Sequence, residues 1–345
     1  MAILFDAPVT PDDLTAFVRE VPNRRELNFL NAFPEVFADT NTVDWAEIVR
    51  TNRTARFRSF DGRIHVSERD AGSQKRVAMP PLSSSLSQGE YERLQIEFAR
   101  VQGGNTDALA RSIYNDSEIL TYEVQNRLEQ AWGDVLYDGV LNINDEGFQG
   151  EADFGVPANH KVTAATLWST TATAQALDDL ISWSDTFEET NGFRPGATRL
   201  SRSLLRLLQR NKQIVDAVHG ATSGKTRVNI GELNELLDGE GVAPVVELPI
   251  ARLDIDGVNT PVMPDDKVIL TPESWADLGH TRFGVTATAL ELVGDERSDL
   301  TFEEAPGIVG VVEKDGPPYR QFAFVDAVAM PILEDAKRLF LAKVK

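Results

Sequence analysis

The stretch nearest to a catalytic motif is Gly220-Ala221-Thr222-Ser223-Gly224-Lys225-Thr226. A glycine-rich loop ending in Lys-Thr can wrap a nucleotide phosphate with its backbone N–H groups. That chemistry needs four residues between the glycines and a preceding strand. Here three residues intervene and the preceding pattern is helical, so the stretch reads as a surface loop. Leu253-Asp254-Ile255-Asp256-Gly257 faintly suggests a calcium loop. Setting Gly257 at the glycine position puts Arg252 at the first ligand and Met263 at the twelfth, and neither can serve. It is better read as a hairpin turn. The four histidines (His65, His160, His219, His280) show no metal-pair spacing and read as isolated surface or packing residues. Zero cysteines exclude a disulfide framework, a thiolate zinc site and a cysteine nucleophile. No G-x-S-x-G element is present, and with 54 acidic residues, neighbouring carboxylates are expected by chance. No catalytic residue, cofactor or metal is expected.

The chemistry that does stand out is electrostatic. Between Arg50 and Arg76 lie eight cations (Arg50, Arg53, Arg56, Arg58, Arg63, Arg69, Lys75, Arg76) against Asp61, Glu68 and Asp70, a net of +5. The whole chain is −20, which leaves −25 for the rest. Such acidity argues against a general nucleic-acid binder, since phosphate affinity comes from lysine and arginine. It serves solubility, or a surface that lies near nucleic acid without adhering to it. Cations gathered on one thin segment of an acidic chain suit contact with another copy of that chain.

The elements that must position this segment can be read from the pattern. Arg56-Phe57-Arg58-Ser59-Phe60 and Arg63-Ile64-His65-Val66 flank Asp61-Gly62, a hairpin dipeptide. The second limb, Gly72 to Leu82, ends at Pro80-Pro81. A two-stranded ribbon with so few apolar residues is marginal in water unless something supports it. Ser87-x-x-Glu90 matches a capping box and predicts a helix to about Val101, closed by Gly103-Gly104. A second helix is predicted from Thr106 to Asp138. Its stripe Leu120, Val124, Leu128, Trp132, Val135 is spaced four, four, four and three, and Gly139 stops it. Its opposite face carries Glu118, Glu123, Arg127 and Asp134.

Before the ribbon, residues 1–40 scatter aromatics and prolines, with a helical turn from Pro11 to Glu20, and read as an arm laid on something larger. After Val140 come short extended pieces, including Phe154–Val156 and the run from His160 to Trp168. Helices are predicted over Ala174–Thr190 and Leu200–Val218. The remainder alternates β-like runs with turns, among them those around Asp256-Gly257 and Asp315-Gly316. The order is α+β rather than a regular βαβ alternation. No apolar run approaches the roughly 18 residues of a membrane span, and the N-terminus lacks the basic region of a signal peptide.

This order of parts resembles a tailed-phage major capsid protein with the Hong Kong 97 fold, and is most similar to the lambda-type capsid protein E family. The segments that carry the resemblance are Gly62–Ser83, Ser117–Gly139, Asp153–Pro157 with Thr166–Ser169, Asn191–Asn211, Lys267–Ala287 and Ala327–Leu333. The resemblance implies an N-arm at 1–40 and an extended β-hairpin, the E-loop, at 41–86. It implies a P-domain with the long spine helix at 87–170 and a mixed α/β A-domain at 171–299. Residues 300–345 would supply the P-domain return strands and the final A-domain strand.

Members of the family form hexamers and pentamers that tile an icosahedral shell around double-stranded DNA, with E-loops and N-arms reaching over neighbours. The implied intersubunit contacts are Arg56, Arg58, Arg63, Arg69, Lys75 and Arg76, and the spine would pack through Leu120, Val124, Leu128 and Trp132. The implied partners are the chain itself, a separate scaffold, a portal and a decoration protein, with DNA held without sequence-specific contact and no membrane. The location would be the virion capsid, assembled in the host cytoplasm. Two alternatives are kept: an encapsulin-type cellular nanocompartment and a soluble acidic hydrolase. Lys75 is the only lysine before residue 90, but nothing identifies a partner for a covalent cross-link.

Overall fold

The computed structural model describes residues 2–5, 7–48, 72–88, 106–145, 148–255, 257–316 and 320–345. Its axis is helix α3 (Thr106–Asp138), preceded in the chain by α1 (Pro11–Glu20) and α2 (Asn28–Ala32). Gly139 ends α3 with φ +74 and an N–H donated to Val135 O at 2.8 Å, the left-handed position where a side chain would be strained. Leu120, Val124, Leu128, Trp132 and Val135 are all buried.

A six-stranded sheet lies against this helix. Its centre is the long strand β16 (Arg320–Leu333), reached after β15 (Val309–Asp315). The first half of β16 pairs with β15 and with β5 (Pro81–Gln88), and its second half pairs with β14 (Gly279–Phe283). β1 (Ala2–Ile3) adds to β15, and β2 (Glu35–Phe37) lies parallel to β14 at the far edge. The described residues of the segment 1–40 therefore pack against the body of this chain. Thr10 caps α1 by accepting from Asp13 N at 3.2 Å, and Thr15 Oγ1 donates to Gly310 O on β15.

The second sheet has five strands in the order β10 (Val245–Glu247), β9 (Ala197–Leu200), β13 (Lys267–Thr271), β17 (Phe340–Lys343), β8 (Lys161–Thr163). Helices α4 (Ala176–Asn191), α5 (Arg202–Leu208), α6 (Lys212–His219) and α7 (Ile230–Gly239) accompany it. Side chains alternate across a strand, and here the alternation divides two cores. Ile269 and Leu341 join the core around α3, whereas Val268, Leu270, Phe340 and Ala342 join the core under α4 to α7. The sheet is a shared wall between them. The hairpins β6 (Val140–Asp145) with β7 (Phe148–Asp153), and β11 (Arg252–Ile255) with β12 (Val258–Pro261), complete the fold with α8 (Ala287–Val293).

Several expectations are corrected. Ser87 is no helix cap: it stands in β5 opposite Phe322, where an eight-residue ladder satisfies the backbone more completely than one capped turn. The helix expected after it lies outside the described residues, as does the Asp61-Gly62 turn. The single helix expected over Leu200–Val218 is broken, because Ser201 and Asn211 each cap a new start, accepting from Leu204 N and Ile214 N at 3.3 Å. Phe154–Val156 lies outside any strand, with Gly155 N donating to Asp153 at 2.9 Å. Two helices went unread: α7, whose Asn229 and Glu232 form a full capping box, and α8, capped by Thr286.

Candidate subunit interface

The basic segment has a structural root. β3 (Thr42–Ile48) and β4 (Gly72–Ala78) form a two-stranded antiparallel ladder that, among the described residues, pairs with no third strand. Asn41 ties its base to the body: its Nδ2 donates to Val285 O at 2.6 Å and its Oδ1 accepts from Val285 N at 2.8 Å. Met79 N closes the other limb onto Asn41 O at 2.9 Å. Lys75 and Arg76 lie on β4, in register with Trp45 and Asp44. Arg56, Arg58, Arg63 and Arg69 lie outside the described residues.

The body beneath the ribbon is clamped by the N-terminal segment, and α3 supplies the clamp from two adjacent stripes. Leu120, Val124, Leu128 and Trp132 form the apolar one. One residue further along each time, Thr121, Gln125, Glu129 and Gly133 form a second, also buried. Glu129 accepts from Phe29 N at 3.1 Å and Leu30 N at 2.8 Å at the start of α2, where the helix dipole favours an anion. Burial raises its pKa and those N–H groups pull it back down. Gln125 Nε2 donates to Val21 O at 3.3 Å. Gly133 faces Val262 so closely that a Cβ would stand 2.2 Å from the Val262 carbonyl oxygen.

A column of rings then links α3 to the five-stranded sheet. Phe33 stacks on Trp132 with centroids 3.5 Å apart and planes 3° from parallel, and touches Trp275 at 5.0 Å. Trp275 in turn carries the Arg199 guanidinium 3.9 Å above its ring. Arg199 is buried and donates to Thr271 Oγ1 at 2.8 Å and Glu273 O at 2.7 Å. Trp132 Nε1 donates to Thr281 Oγ1 at 2.8 Å. Phe33 is one of the scattered aromatics that anchor the N-terminal segment, whereas Glu129, Gln125 and Arg199 are not singled out by the sequence. The repeat of Thr, Gln, Glu, Gly one position after each apolar residue was the available signal.

The polar face of α3 is already engaged within its own chain. Glu118 accepts from the Tyr122 hydroxyl at 2.9 Å, with Arg24 stacked 4.0 Å over that ring. Ser84 donates to Glu123, and Arg127 donates to Gln130 at 2.7 Å. Burial lifts the Asp134 carboxyl to about 6, opposed by Arg127 and helped by Asp138.

Among the described residues the motif-like stretches hold no assembled chemistry. Ala221 to Thr226 are exposed in a loop after α6, and Arg252 to Pro261 is a plain hairpin. His160 packs between Phe187 and Phe340, and burial lowers its pKa. His219 faces Glu232 at 3.7 Å and His280 faces Glu334 at 3.3 Å, each apart from the others.

Comparison with known proteins places this architecture. The capsid protein of a prophage of E. coli CFT073 aligns over 96% of this chain and 97% of its own, at 13% identity and a TM-score of 0.59. A phage-related protein from Bordetella bronchiseptica RB50 aligns over 99% and 98%, at 15% identity and a TM-score of 0.51. At such identities the likeness is one of fold. No curated protein sequence matches the chain. A family model does: the phage major capsid protein E model matches residues 10–298, well over half the chain and spanning the ribbon, the long helix, three of the six strands of the first sheet and four of the five strands of the second. That match is to shell subunits rather than to hydrolases or cellular compartments, and the chain belongs to the phage major capsid protein E family.

Proposed function

We propose that this subunit self-assembles as hexamers and pentamers into an icosahedral head enclosing double-stranded DNA, and that it works as a wall rather than as an enzyme. The observation that supports this most is the β3–β4 ribbon. It is a two-stranded root, unpaired at both edges among the described residues, for the one strongly cationic segment of an acidic chain. Within a single subunit such a ribbon gains little; across a boundary it is a strap.

In this reading residues 1–40 are the N-arm and 41–86 the E-loop. Residues 87–170 with the return strands of 300–345 form the P-domain around α3, and 171–299 with β17 form the A-domain. Arg56, Arg58, Arg63, Arg69, Lys75 and Arg76 are the strap's contacts. Each exposed ion pair is worth only about 0–1 kcal/mol, so cohesion comes from their number, repeated at every boundary. The remaining −25 of charge repels phosphate and lets packaged DNA slide. A separate scaffold, a portal and a decoration protein would complete the head, built in the host cytoplasm and retained in the virion.

The test is to replace all six cations by serine. The variant subunit should unfold at the same urea concentration as wild type yet give no shells by negative-stain microscopy. Shells formed at wild-type yield would contradict the strap assignment.

A further inference from the structure

We infer that the cleft beside β2 receives the arginine- and phenylalanine-bearing segment of a second copy of this chain. The inference rests on the shell-forming reading above and names the surface to which the strap attaches.

β2 is an open edge. Its ladder with β14 uses Pro34 O, which accepts from Thr281 N at 2.8 Å, and Ala38 N, which donates to Phe283 O at 2.9 Å. Main-chain groups alternate sides along a strand, so those of Glu35 and Phe37 face outward, where no strand pairs among the described residues. Both side chains line a cleft of about 350 Å³ between the N-terminal segment, α3 and the loop at 303–308. Its wall is apolar, with Val18, Leu30, Leu128 and Phe283. Phe37, 59% exposed, stands at its mouth, and Phe302 beside the acidic rim is 49% exposed.

The charge of the cleft selects its occupant. Three carboxylates (Glu35, Glu303, Glu304) face one cation, Arg19, so the lining is −2. Arg19 is already committed, donating to Ile308 O at 2.9 Å. Gln125 also lines the cleft, 3% exposed, and its Oε1 has no hydrogen-bond partner among the described residues. A buried acceptor without a donor is costly. The cleft therefore asks for N–H donors, positive charge and an apolar ring together. Nucleic acid and acidic peptides are repelled. In this chain the matching sequence is Arg56-Phe57-Arg58-Ser59-Phe60, inside the +5 segment. The spine acids do not compete, since Glu118 and Glu123 are engaged with Tyr122 and Ser84.

The cysteine-free background gives a direct test. One tagged copy carries Glu303→Cys, a differently tagged copy carries Arg58→Cys, and the two are co-expressed, oxidised and separated on a non-reducing gel. A cross-link between the two tags in assembled particles, absent from unassembled subunits, is expected. In parallel, Glu35→Lys with Glu303→Lys should cut particle yield at least tenfold, and adding Arg56→Glu with Arg58→Glu should restore it. The inference is overturned if particles form but no such cross-link appears. It is equally overturned if the lysine variant assembles at wild-type yield. A wild-type chain that forms no particles overturns the shell reading itself, which separates the two failures.

Discussion

Truncating Phe33 to alanine should detach the N-terminal segment from the body. Phe33 is 3% exposed, lies flat on Trp132 at 3.5 Å and meets Trp275 at 5.0 Å. Removing a buried phenylalanine costs about 3–5 kcal/mol, from lost transfer energy and the cavity left behind. Parallel aromatic contact contributes a further ~0.5–1.5 kcal/mol beyond area. Phe33→Leu separates the two: it keeps most of the buried surface and loses the stack, so it should cost only about 1–2 kcal/mol. Against a total stability on the order of 5–15 kcal/mol, the alanine variant should show a large fall in the urea midpoint. The loss should also be local first. Amides that bond across the segment, such as Phe33 N to Phe29 O and Thr281 N to Pro34 O, should exchange faster than those of the five-stranded sheet. A Phe33→Ala cost under about 1 kcal/mol, or uniform exchange across both sheets, would refute the idea that this ring column clamps the segment.

Glu129→Gln should leave Phe29 N or Leu30 N facing an amide donor, at about 1–3 kcal/mol, read as faster exchange at those two amides. Gly133→Ala gains about 1 kcal/mol of helix propensity, but its Cβ meets the Val262 carbonyl at 2.2 Å. Displacement of the Val262 backbone should win, lowering the melting temperature; an unchanged or raised one would show that the helix shifts freely. Asp134 has a folded pKa of about 6, raised from 3.8, so its folded form holds a proton that the unfolded chain releases. Its contribution is fully present below about pH 4 and lost as pH rises to 6. Asp134→Asn should therefore stabilise the subunit by about 1–3 kcal/mol at pH 7 and flatten that slope in urea titrations.

Much of the frame was legible because it rests on short-range rules. The period of Leu120, Val124, Leu128 and Trp132 set the long helix, Gly139 ended it, and Thr10-Pro11 started α1. What escaped reading depended on distant partners. Ser87 carries a capping signature, yet the free edge of β16 claims it for a strand. Asn229-x-x-Glu232 carries the same signature with no competing strand, and there the helix forms. The ribbon's charge and its second limb from Gly72 were plain in the sequence, but the first strand of its root was not. Thr42–Ile48 has weak alternation, and only the register with Gly72–Ala78 makes it a strand. The cleft at β2 was hidden for a similar reason. Glu35, Gln125 and Glu303 are far apart in sequence, and the fold alone brings them to one surface.

The most direct test of the central claim is the native mass of the purified chain, by sedimentation and electron microscopy at physiological salt. The account predicts closed shells of megadalton mass built from the 38.1 kDa subunit. A stable, folded monomer at every concentration and salt tried would contradict it.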